Sequence, residues 1–406
     1  MKLRCDPPLH LTYCLNVHPG ETWEENFAAV REKALRVKEL VGRPGPFGLG
    51  LRLGRTAAES LANPSALAEF RAFCNANGLY VFTVNGFPYG PFHGTAVKEN
   101  VYKPDWREPE RLAYTNQLID ILAALLPEGT RGSISTLPGS YKAWIKTEAD
   151  VRIMAEHIAE AAFHAAAIRV RSGKDIALAL EPEPDCFIES TPEALSFFTG
   201  PLRTCGARRL RETHGMASSE ADALLARHLG VCFDTSHMAV QFEDLAESLA
   251  QLRDAGIRVS KIHLSSALTV RGGADAASAL KAFNENVYLH QTRRKSSSGG
   301  VASFPDLPAA LASPAGRGDQ WRVHFHVPLF FDESGDLRST RVLLTPRVVE
   351  LIGSGITEHL EIETYTFGVL PGRLAVKEVT EGIAREYTWV LDHFGFTEPN
   401  SYSSSM

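Results

Sequence analysis

The stretch Gly230-Val231-Cys232-Phe233-Asp234-Thr235-Ser236-His237 predicts the local unit from which the fold of this chain is built. A short apolar run ends at Asp234, and His237 follows three residues later. A helical pattern begins soon afterwards, because apolar residues recur at spacings of three and four at Phe242, Leu245, Leu249 and Leu252. We interpret the stretch as a buried strand, a loop that carries a carboxylate and an imidazole, and a helix.

Asp234 and His237 have two interpretations. Catalytic groups of β/α barrels lie at the carboxyl ends of the strands, and an Asp and a His at that end can bind a divalent metal. The alternative is that Asp234 caps the next helix and that His237 is a solvated loop residue. This stretch alone favours neither interpretation, so the rest of the chain has to decide.

Composition limits the classes of function. The chain has 406 residues, of which 44% are hydrophobic and 22% charged, so it can bury a large core. Its net charge of -6 argues against a nucleic-acid partner, which needs a basic face. Six scattered cysteines without a C-x-x-C pair predict reduced thiols and a cytoplasmic protein. No apolar run approaches the ~18 residues of a membrane span, so we expect no membrane insertion.

Strand patterns alternate with helix patterns eight times along the chain. The predicted strands cover residues 9–17, 47–53, 79–84, 133–137, 176–180, 231–233, 259–264 and 359–365. No G-x-G-x-x-G or G-x-x-x-x-G-K motif follows a predicted strand, so a nucleotide-binding open sheet has no support. Eight such units favour an α/β fold of the (β/α)8 TIM-barrel type, forming one domain over residues 1–397. The polar residues 398–406 are expected to be a flexible tail.

Residues 267–320, after the seventh strand, are the least regular part of the sequence. We expect them to form a long and partly mobile insertion that lies as a lid over the barrel mouth. The insertion contains the basic triplet Arg293-Arg294-Lys295. This triplet has two interpretations, a contact with an anionic substrate or a solvated surface patch.

Acids and histidines recur where the predicted strands end. They are Glu181 or Glu183, Asp234 with His237, His263, His324 with His326, and Glu361 or Glu363. Neighbouring barrel strands place their ends close together, and several carboxylates in one cavity would repel strongly without a cation. A mixed oxygen and nitrogen site suits Mn²⁺, Mg²⁺, Co²⁺, Fe²⁺ or Zn²⁺. We therefore predict a divalent metal as the cofactor.

Four of these segments resemble the metal-site motifs of the xylose isomerase-like TIM-barrel superfamily. They are Leu180-Glu181-Pro182, Phe233-Asp234-Thr235-Ser236-His237-Met238, Lys261-Ile262-His263-Leu264 and Leu360-Glu361-Ile362-Glu363. That superfamily includes sugar isomerases, keto-sugar epimerases, inositol-catabolism enzymes and an AP endonuclease group. Three further segments resemble the metabolite traffic protein EboE branch: the loop from Asn85 to His93, the segment from His324 to Phe330, and Glu361 to Phe367.

The resemblance implies a ligand set for the metal. Glu181, Asp234, His263 and Glu363 would bind the ion, and Glu363 is preferred to Glu361 because it lies nearer the mouth. The pair His324 and His326 resembles the second metal pair of the endonuclease group, but has His where that pair has Asp. We therefore add His326 to the predicted ligands, and expect one ion with room for a second.

The resemblance also implies an activity, an isomerase or epimerase of a sugar, cyclitol or related polyol in secondary-metabolite biosynthesis or traffic. Glu181 and Glu363 would exchange the proton beside the carbonyl, and His237 would assist. Predicted substrate-binding residues are His18, Asn85, Tyr89, His93 and His324. The alternatives are a metal-dependent hydrolase or phosphodiesterase of endonuclease IV type and a non-catalytic metabolite-binding protein. The sequence leaves an oligomeric state open.

Overall fold

The computed structural model describes residues 1–92, 98–272, 274–285, 287–370 and 375–396. Fifteen strands occur in these residues. They are β1 (Lys2–Cys5), β2 (Pro8–Tyr13), β3 (Phe47–Arg52), β4 (Leu79–Asn85), β5 (Gly132–Thr136), β6 (Ile176–Leu180), β7 (Leu229–Asp234), β8 (Val259–Leu264), β9 (Ala267–Arg271), β10 (Thr292–Lys295), β11 (Val301–Phe304), β12 (Gln320–His326), β13 (Glu333–Ser334), β14 (Leu337–Ser339) and β15 (His359–Ile362).

Nine of the strands form a barrel sheet in the order β1-β2-β15-β8-β7-β6-β5-β4-β3. All the pairs in it are parallel apart from the β1-β2 hairpin. A parallel bridge between Cys14 and Gly50 joins β2 to β3 and closes the ring. The predicted (β/α)8 barrel is therefore confirmed. The first predicted strand is shorter than expected, because Leu15–Val17 turn into a 3-10 helix.

Helices surround this barrel on the outside. The described α-helices are α1 (Trp23–Ala29), α2 (Leu35–Val41), α3 (Arg55–Leu61), α4 (Pro64–Ala76), α5 (Pro109–Leu125), α6 (Glu148–Ser172), α7 (Thr191–Thr199), α8 (Ala207–His214), α9 (Ser218–His228), α10 (Thr235–Val240), α11 (Leu245–Asp254), α12 (Ala274–Leu280), α13 (Leu307–Ala312), α14 (Pro346–Gly353) and α15 (Val379–His393). Capping boxes at Thr22 and Thr147 start α1 and α6. None of these described helices combines the length and apolarity needed to cross a bilayer.

The insertion after β8 is an ordered sheet rather than the irregular segment expected over residues 267–320. Its six strands pair antiparallel in the order β11-β10-β12-β9-β14-β13, and they continue as far as Ser339. Strands of only two to five residues carry little periodic signal, which explains why the sequence pattern did not predict most of them.

The basic triplet of the insertion is structural. The buried Arg293 guanidinium binds Asp185 Oδ1 at 2.7 Å and Glu189 Oε2 at 3.0 Å, in the segment that follows β6. Arg294 lies over the rings of Phe304 and Trp321. The first contact joins the insertion to the barrel mouth, so Arg293 neither faces solvent nor is free for a substrate.

Glu386 on α15 joins the insertion to the barrel through a hydrogen bond to Leu329, and its titration can be tested. Its Oε1 accepts from Leu329 N at 3.0 Å and from Thr364 Oγ1 at 2.7 Å, and burial raises the pKa of this carboxyl to about 7. The folded state therefore binds this proton more tightly than the unfolded state, and the stabilisation is present at low pH. We expect the contribution, about 2 to 3 kcal/mol, to be lost as the pH rises towards about 7.

Glu386→Gln retains the acceptor oxygen and should remove this part of the pH dependence. Chemical denaturation at about pH 5 and about pH 8 would measure the free energy of unfolding of both proteins. Glu381→Gln, on an exposed turn of the same helix, is the control. If the parent protein and Glu386→Gln lose equal stability between the two pH values, the proposed titration is wrong.

Candidate metal centre

His263, near the carboxyl end of β8, lies at the centre of the strand-end cluster. Its Nδ1 is 2.9 Å from Glu181 Oε1, 3.1 Å from Glu363 Oε2 and 3.6 Å from Asp234 Oδ2. The parallel register places Asp234 beside His263. One ligand atom from each of the four residues lies within 4.8 Å of the others. The structure therefore brings together Glu181, Asp234, His263 and Glu363.

This donor set fits a divalent cation. A single ring nitrogen carries at most one proton, so it cannot donate to three carboxylates at once. Among the described residues, Glu181 Oε2 and Asp234 Oδ2 are buried without a hydrogen-bond partner. Buried carboxylates at this separation repel one another unless a positive charge lies between them. Three carboxylates and one imidazole are also ligands that Mg²⁺, Mn²⁺ and Zn²⁺ accept.

The two interpretations of Asp234 are compatible, because each carboxylate oxygen has a different role. Oδ1 caps α10, accepting from Ser236 N at 2.7 Å and His237 N at 3.0 Å, and it also accepts from Ser265 Oγ at 2.6 Å. Oδ2 faces His263 and has no hydrogen bond within the described chain. The cap thus fixes the orientation in which the second oxygen can bind a metal.

Glu361 supports the centre from below. Its Oε2 accepts from His263 Nε2 at 2.9 Å and forms an ion pair with the buried Lys261. Burial would raise the pKa of Glu361, but Lys261 and His263 hold it at about 2, so the carboxylate is ionised. In the neutral tautomer that metal binding requires, with the proton on Nε2, the lone pair of Nδ1 would point towards the cluster. A carboxylate behind a ligating imidazole is a common way to orient it.

Glu363 is oriented by two amides. Its Oε1 accepts from Asn16 Nδ2 at 2.8 Å and from Asn85 Nδ2 at 3.1 Å, which leaves Oε2 facing His263. Asn85, a predicted substrate-binding residue, therefore also positions a candidate metal ligand. The two acids at the end of β15, the eighth parallel strand of the barrel, lie at different depths. Glu361 lies below His263, and Glu363 lies beside it.

A second cluster consists of three histidines, which we call the three-histidine group: His237, His324 and His326. Their candidate ligand atoms also lie within 4.8 Å of one another. His326, predicted as a ligand alongside Glu181, belongs to this group and not to the cluster around His263. Its Nδ1 lies 2.7 Å from Glu363 O, and its Nε2 lies 3.0 Å from Ser236 Oγ.

The tautomers of the other two histidines follow from their partners. His237 Nδ1 lies 3.0 Å from Pro182 O, and His324 Nδ1 lies 2.7 Å from Gln291 Oε1. Carbonyl oxygens only accept, so we assign the protons to Nδ1 in both rings. The two Nε2 atoms then face each other at 3.0 Å. Two facing lone pairs need a shared proton or a cation between them.

A cavity opens above both clusters and has aromatic walls. The described lining includes Phe87, Phe92, Tyr102, Tyr288 and Tyr365. Phe92, Tyr288 and Tyr365 contact one another, with ring centroids 5.1 to 5.4 Å apart. Glu181, Glu183, Glu363, His237 and His324 supply polar groups at its base. Burial raises the pKa of Glu183 to about 7, and its Oε1 accepts from Tyr102 at 2.8 Å.

The predicted substrate-binding residues divide into three groups. Asn85 and His324 line the cavity. His18 and Tyr89 do not, because His18 Nε2 lies 2.9 Å from Tyr13 Oη and the Tyr89 ring packs against Tyr114. His93 lies outside the described residues.

Sequence reasoning missed several residues of the cavity as site residues. Asn16 lies near the end of the first predicted strand and Phe92 lies in the loop from Asn85 to His93, so both had a recognisable signal. Tyr288 lies in the insertion, in a segment without a strand or helix pattern. Its position over the mouth depends on how the insertion folds back, which no local pattern indicates.

No protein-family model matches the sequence, and no curated protein matches it either. One similar solved structure is a xylose isomerase-like TIM barrel protein from Mycobacterium smegmatis in complex with magnesium. It has 14% sequence identity and a TM-score of 0.51, over 95% of this chain and 96% of that chain. A second similar structure is the IolI protein with a bound zinc atom, which has 11% sequence identity and a TM-score of 0.49 over 95% of this chain and 99% of that chain. A third is the probable 3-DHS dehydratase AsbF, involved in petrobactin synthesis in Bacillus anthracis. It has 11% sequence identity and a TM-score of 0.49 over 94% of this chain and 98% of that chain.

The similarity to the Mycobacterium smegmatis protein shows that this chain shares its TIM-barrel fold. An identity of 14% establishes the fold and not the activity. Membership of the EboE branch stays a prediction from sequence.

Glu361→Gln tests the support beneath the metal centre. The substitution keeps the size of the side chain but removes the charge that holds His263 Nε2–H. We expect metal affinity to fall about 10- to 100-fold, as measured by competition with a chromogenic chelator. Glu381→Gln, which changes an exposed carboxyl on α15, should leave the affinity unchanged. Equal affinities for the Glu361→Gln variant and the parent would contradict the assigned role.

Proposed function

We propose that this protein is a divalent-metal-dependent isomerase or epimerase of a sugar, a cyclitol or a related polyol ketone. The observation that carries the proposal is the convergence of Glu181, Asp234 and Glu363 on His263 Nδ1 at the base of an aromatic cavity. The magnesium in the Mycobacterium smegmatis protein of the same fold supports it. Because the sequence resembles the EboE branch, we propose that the reaction belongs to secondary-metabolite biosynthesis or traffic.

The metal ligands in this proposal are Glu181, Asp234, His263 and Glu363. A divalent cation bound there supplies Lewis acidity to adjacent oxygens of the substrate. The donor set accepts Mn²⁺, Mg²⁺, Co²⁺, Fe²⁺ or Zn²⁺. Glu361, which is itself paired with Lys261, holds His263 from the opposite side, so the imidazole would need no reorientation to bind the ion.

Glu181 and Glu363 carry the proton transfer in this proposal. Both carboxylates line the cavity, so both would lie beside a substrate bound there. One would remove the proton from the carbon beside the substrate carbonyl and the other would return it. This transfer would invert the configuration at that carbon or move the carbonyl to the neighbouring carbon. Asn16 and Asn85 keep Glu363 in one orientation, because they bind the oxygen that faces away from His263. His237, at the base of the cavity, would orient the hydroxyl groups.

The cavity favours an uncharged ring as the substrate. Aromatic walls suit the apolar faces of a sugar or cyclitol ring. Lys98 is the one lysine or arginine among the described residues that line the cavity. Its Nζ is bound at 2.8 Å to both Asp306 Oδ2 and Tyr288 O, so it is not free for a phosphate group. We therefore propose a polyol ketone without a phosphate.

Hydrogen exchange tests the reaction without knowledge of the product. The metal-loaded protein in deuterated water should exchange one C–H proton of its substrate, observed by proton NMR over a panel of ketoses and cyclic polyol ketones. Chelation of the metal should stop the exchange, and Glu363→Gln should slow it by about 10²-fold or more. Exchange that continues at an equal rate in the Glu363→Gln variant would contradict the assigned base.

The same panel separates the enzyme from a binding protein. A compound that binds tightly to the metal-loaded chain without exchange or turnover would favour a non-catalytic metabolite-binding protein. A matched control is Glu193→Gln, because Glu193 lies on α7 and its Oε1 is bound to Lys142 away from the cavity. This variant should exchange the substrate at the parental rate.

The three-histidine group favours a second candidate, a metal-dependent hydrolase or phosphodiesterase. Burial, His237 and His326 together lower the pKa of His324 well below its usual range, so this ring is neutral. Neutral imidazoles are ligands for Zn²⁺ and Co²⁺. A second ion at this group would allow water to be activated between two metals.

Metal content distinguishes the two candidates. Dialysis against Zn²⁺ followed by elemental analysis should give one ion per chain for the isomerase and two or more for the hydrolase. His324→Ala should leave the count at one in the first case and reduce it by one in the second. A single ion that disappears in His324→Ala would contradict the assignment of the main site to His263 and its three carboxylates.

A further inference from the structure

The cavity above the metal centre contains a carboxyl group that the proposed proton transfer does not use. Glu183 lies two residues beyond the candidate ligand Glu181, and only 8% of it is exposed. It lines the cavity, but it is outside the described cluster around His263. Glu181 Oε1 lies 4.0 Å from His237 Nδ1, whereas Glu183 Oε1 lies 3.8 Å from His324 Nδ1. Glu183 therefore faces a different part of the cavity from the candidate metal ligands.

Two neighbours hold Glu183 in one orientation. Its Oε1 accepts from Tyr102 Oη at 2.8 Å and from Gln291 Nε2 at 3.3 Å. Gln291 is itself fixed, because its Nε2 also donates to Tyr102 Oη at 2.8 Å and its Oε1 accepts from His324 Nδ1 at 2.7 Å. Gln291 lies in the insertion, immediately before β10, so the insertion orients Glu183 as well as His324.

The second oxygen of Glu183 has no partner in the described chain. Oε2 makes no hydrogen bond or ion pair with any residue that the structure describes, and the protein does not enclose it completely. Because Glu183 lines the cavity, this oxygen faces the space that a substrate would occupy. A carboxyl oxygen accepts a hydrogen bond from a hydroxyl group whether or not the carboxyl is ionised. Oε2 is therefore placed to bind a substrate hydroxyl directly.

Tyr365 presents a hydroxyl group to the same cavity. Its ring packs against Tyr288, Phe92 and His326, with ring centroids 5.1, 5.4 and 4.7 Å away, and these contacts fix the direction of the side chain. Its Oη makes no hydrogen bond with a described residue, and it also remains accessible from the cavity. A phenol hydroxyl both donates and accepts. The cavity thus offers an acceptor from Glu183 and a donor from Tyr365.

We propose that Glu183 and Tyr365 bind a distal hydroxyl group of the substrate, meaning one outside the oxygen pair that binds the metal. This inference rests on the proposed function, because it concerns the same polyol in the same cavity. Glu183 is outside the metal cluster, so its partner has to be a hydroxyl farther along the carbon chain or ring. The pair would select a polyol over a smaller compound that reaches only the metal, because the smaller compound leaves both polar groups without partners.

Calorimetric titration of the Mg²⁺-loaded chain with polyols and truncated analogues tests this selection. The polyols are myo-inositol and fructose, and the analogues are 1,2-cyclohexanediol and hydroxyacetone, which keep a chelating oxygen pair but lack distal hydroxyls. We expect at least one polyol to bind about tenfold or more tightly than its analogue. Equal affinities within both pairs would overturn the inference and leave the proposed function standing. Failure of both polyols to bind would also overturn the inference, whereas the proposed function would fail only if no compound of the exchange panel exchanged a proton.

Two variants and one control assign the contacts. Glu183→Ala should weaken polyol binding about tenfold or more, and Tyr365→Phe about threefold to tenfold, while both variants bind the truncated analogue as the parent does. A residue with a structural role alone would change the affinity for both compounds alike. Glu193→Gln changes a carboxylate on α7, which is bound to Lys142 away from the cavity, and should keep the parental affinities.

Circular dichroism and chelator competition establish that each variant is folded and binds metal. Parental affinity for the polyol in both Glu183→Ala and Tyr365→Phe would overturn the assignment. Tyr365→Phe removes a single oxygen atom, so it decides the outcome if Glu183→Ala does not fold.

Discussion

The structure depends on one electrostatic constraint, the convergence of three buried carboxylates on the Nδ1 atom of His263. Four strands supply these groups, and each strand end has to stop at the right depth for them to meet. Such an arrangement repels itself unless a positive charge lies among the carboxylates, and a bound divalent cation would supply that charge. The cavity and its aromatic walls are arranged around this point.

Residues below and above the candidate metal centre keep its ligands in position. Below it, Lys261 and Glu361 hold the imidazole from behind, and Gly50 leaves room for them because a Cβ at that position would lie 1.9 Å from Glu361 Oε1. Above it, the sheet of the insertion supplies His324, and the ion pairs of Arg293 join this sheet to the barrel mouth. The insertion is thus part of the site and not an appendage.

The barrel strands were predictable because each is a short apolar run bounded by polar or glycine residues, and that pattern survives whatever packs around it. The sheet of the insertion was not predictable, because most of its strands are short and they pair with strands distant in the sequence. In the loop from Asn85 to His93, the sequence analysis predicted Tyr89 as the aromatic substrate-binding residue, whereas the structure places Phe87 and Phe92 in the cavity. A loop has no fixed period, so its side-chain directions depend on distant partners such as Tyr114.

The sequence by itself determined the barrel and the acids and histidines at its strand ends, because strand periodicity fixes which residues share a face. Only the tertiary structure decided how each group is used. One oxygen of Asp234 caps a helix, and the other has no hydrogen bond within the described chain. Glu361 lies below His263 and Glu363 beside it. His326 lies in the three-histidine group. These outcomes depend on hydrogen bonds between residues far apart in the chain, and local sequence carries no record of such contacts.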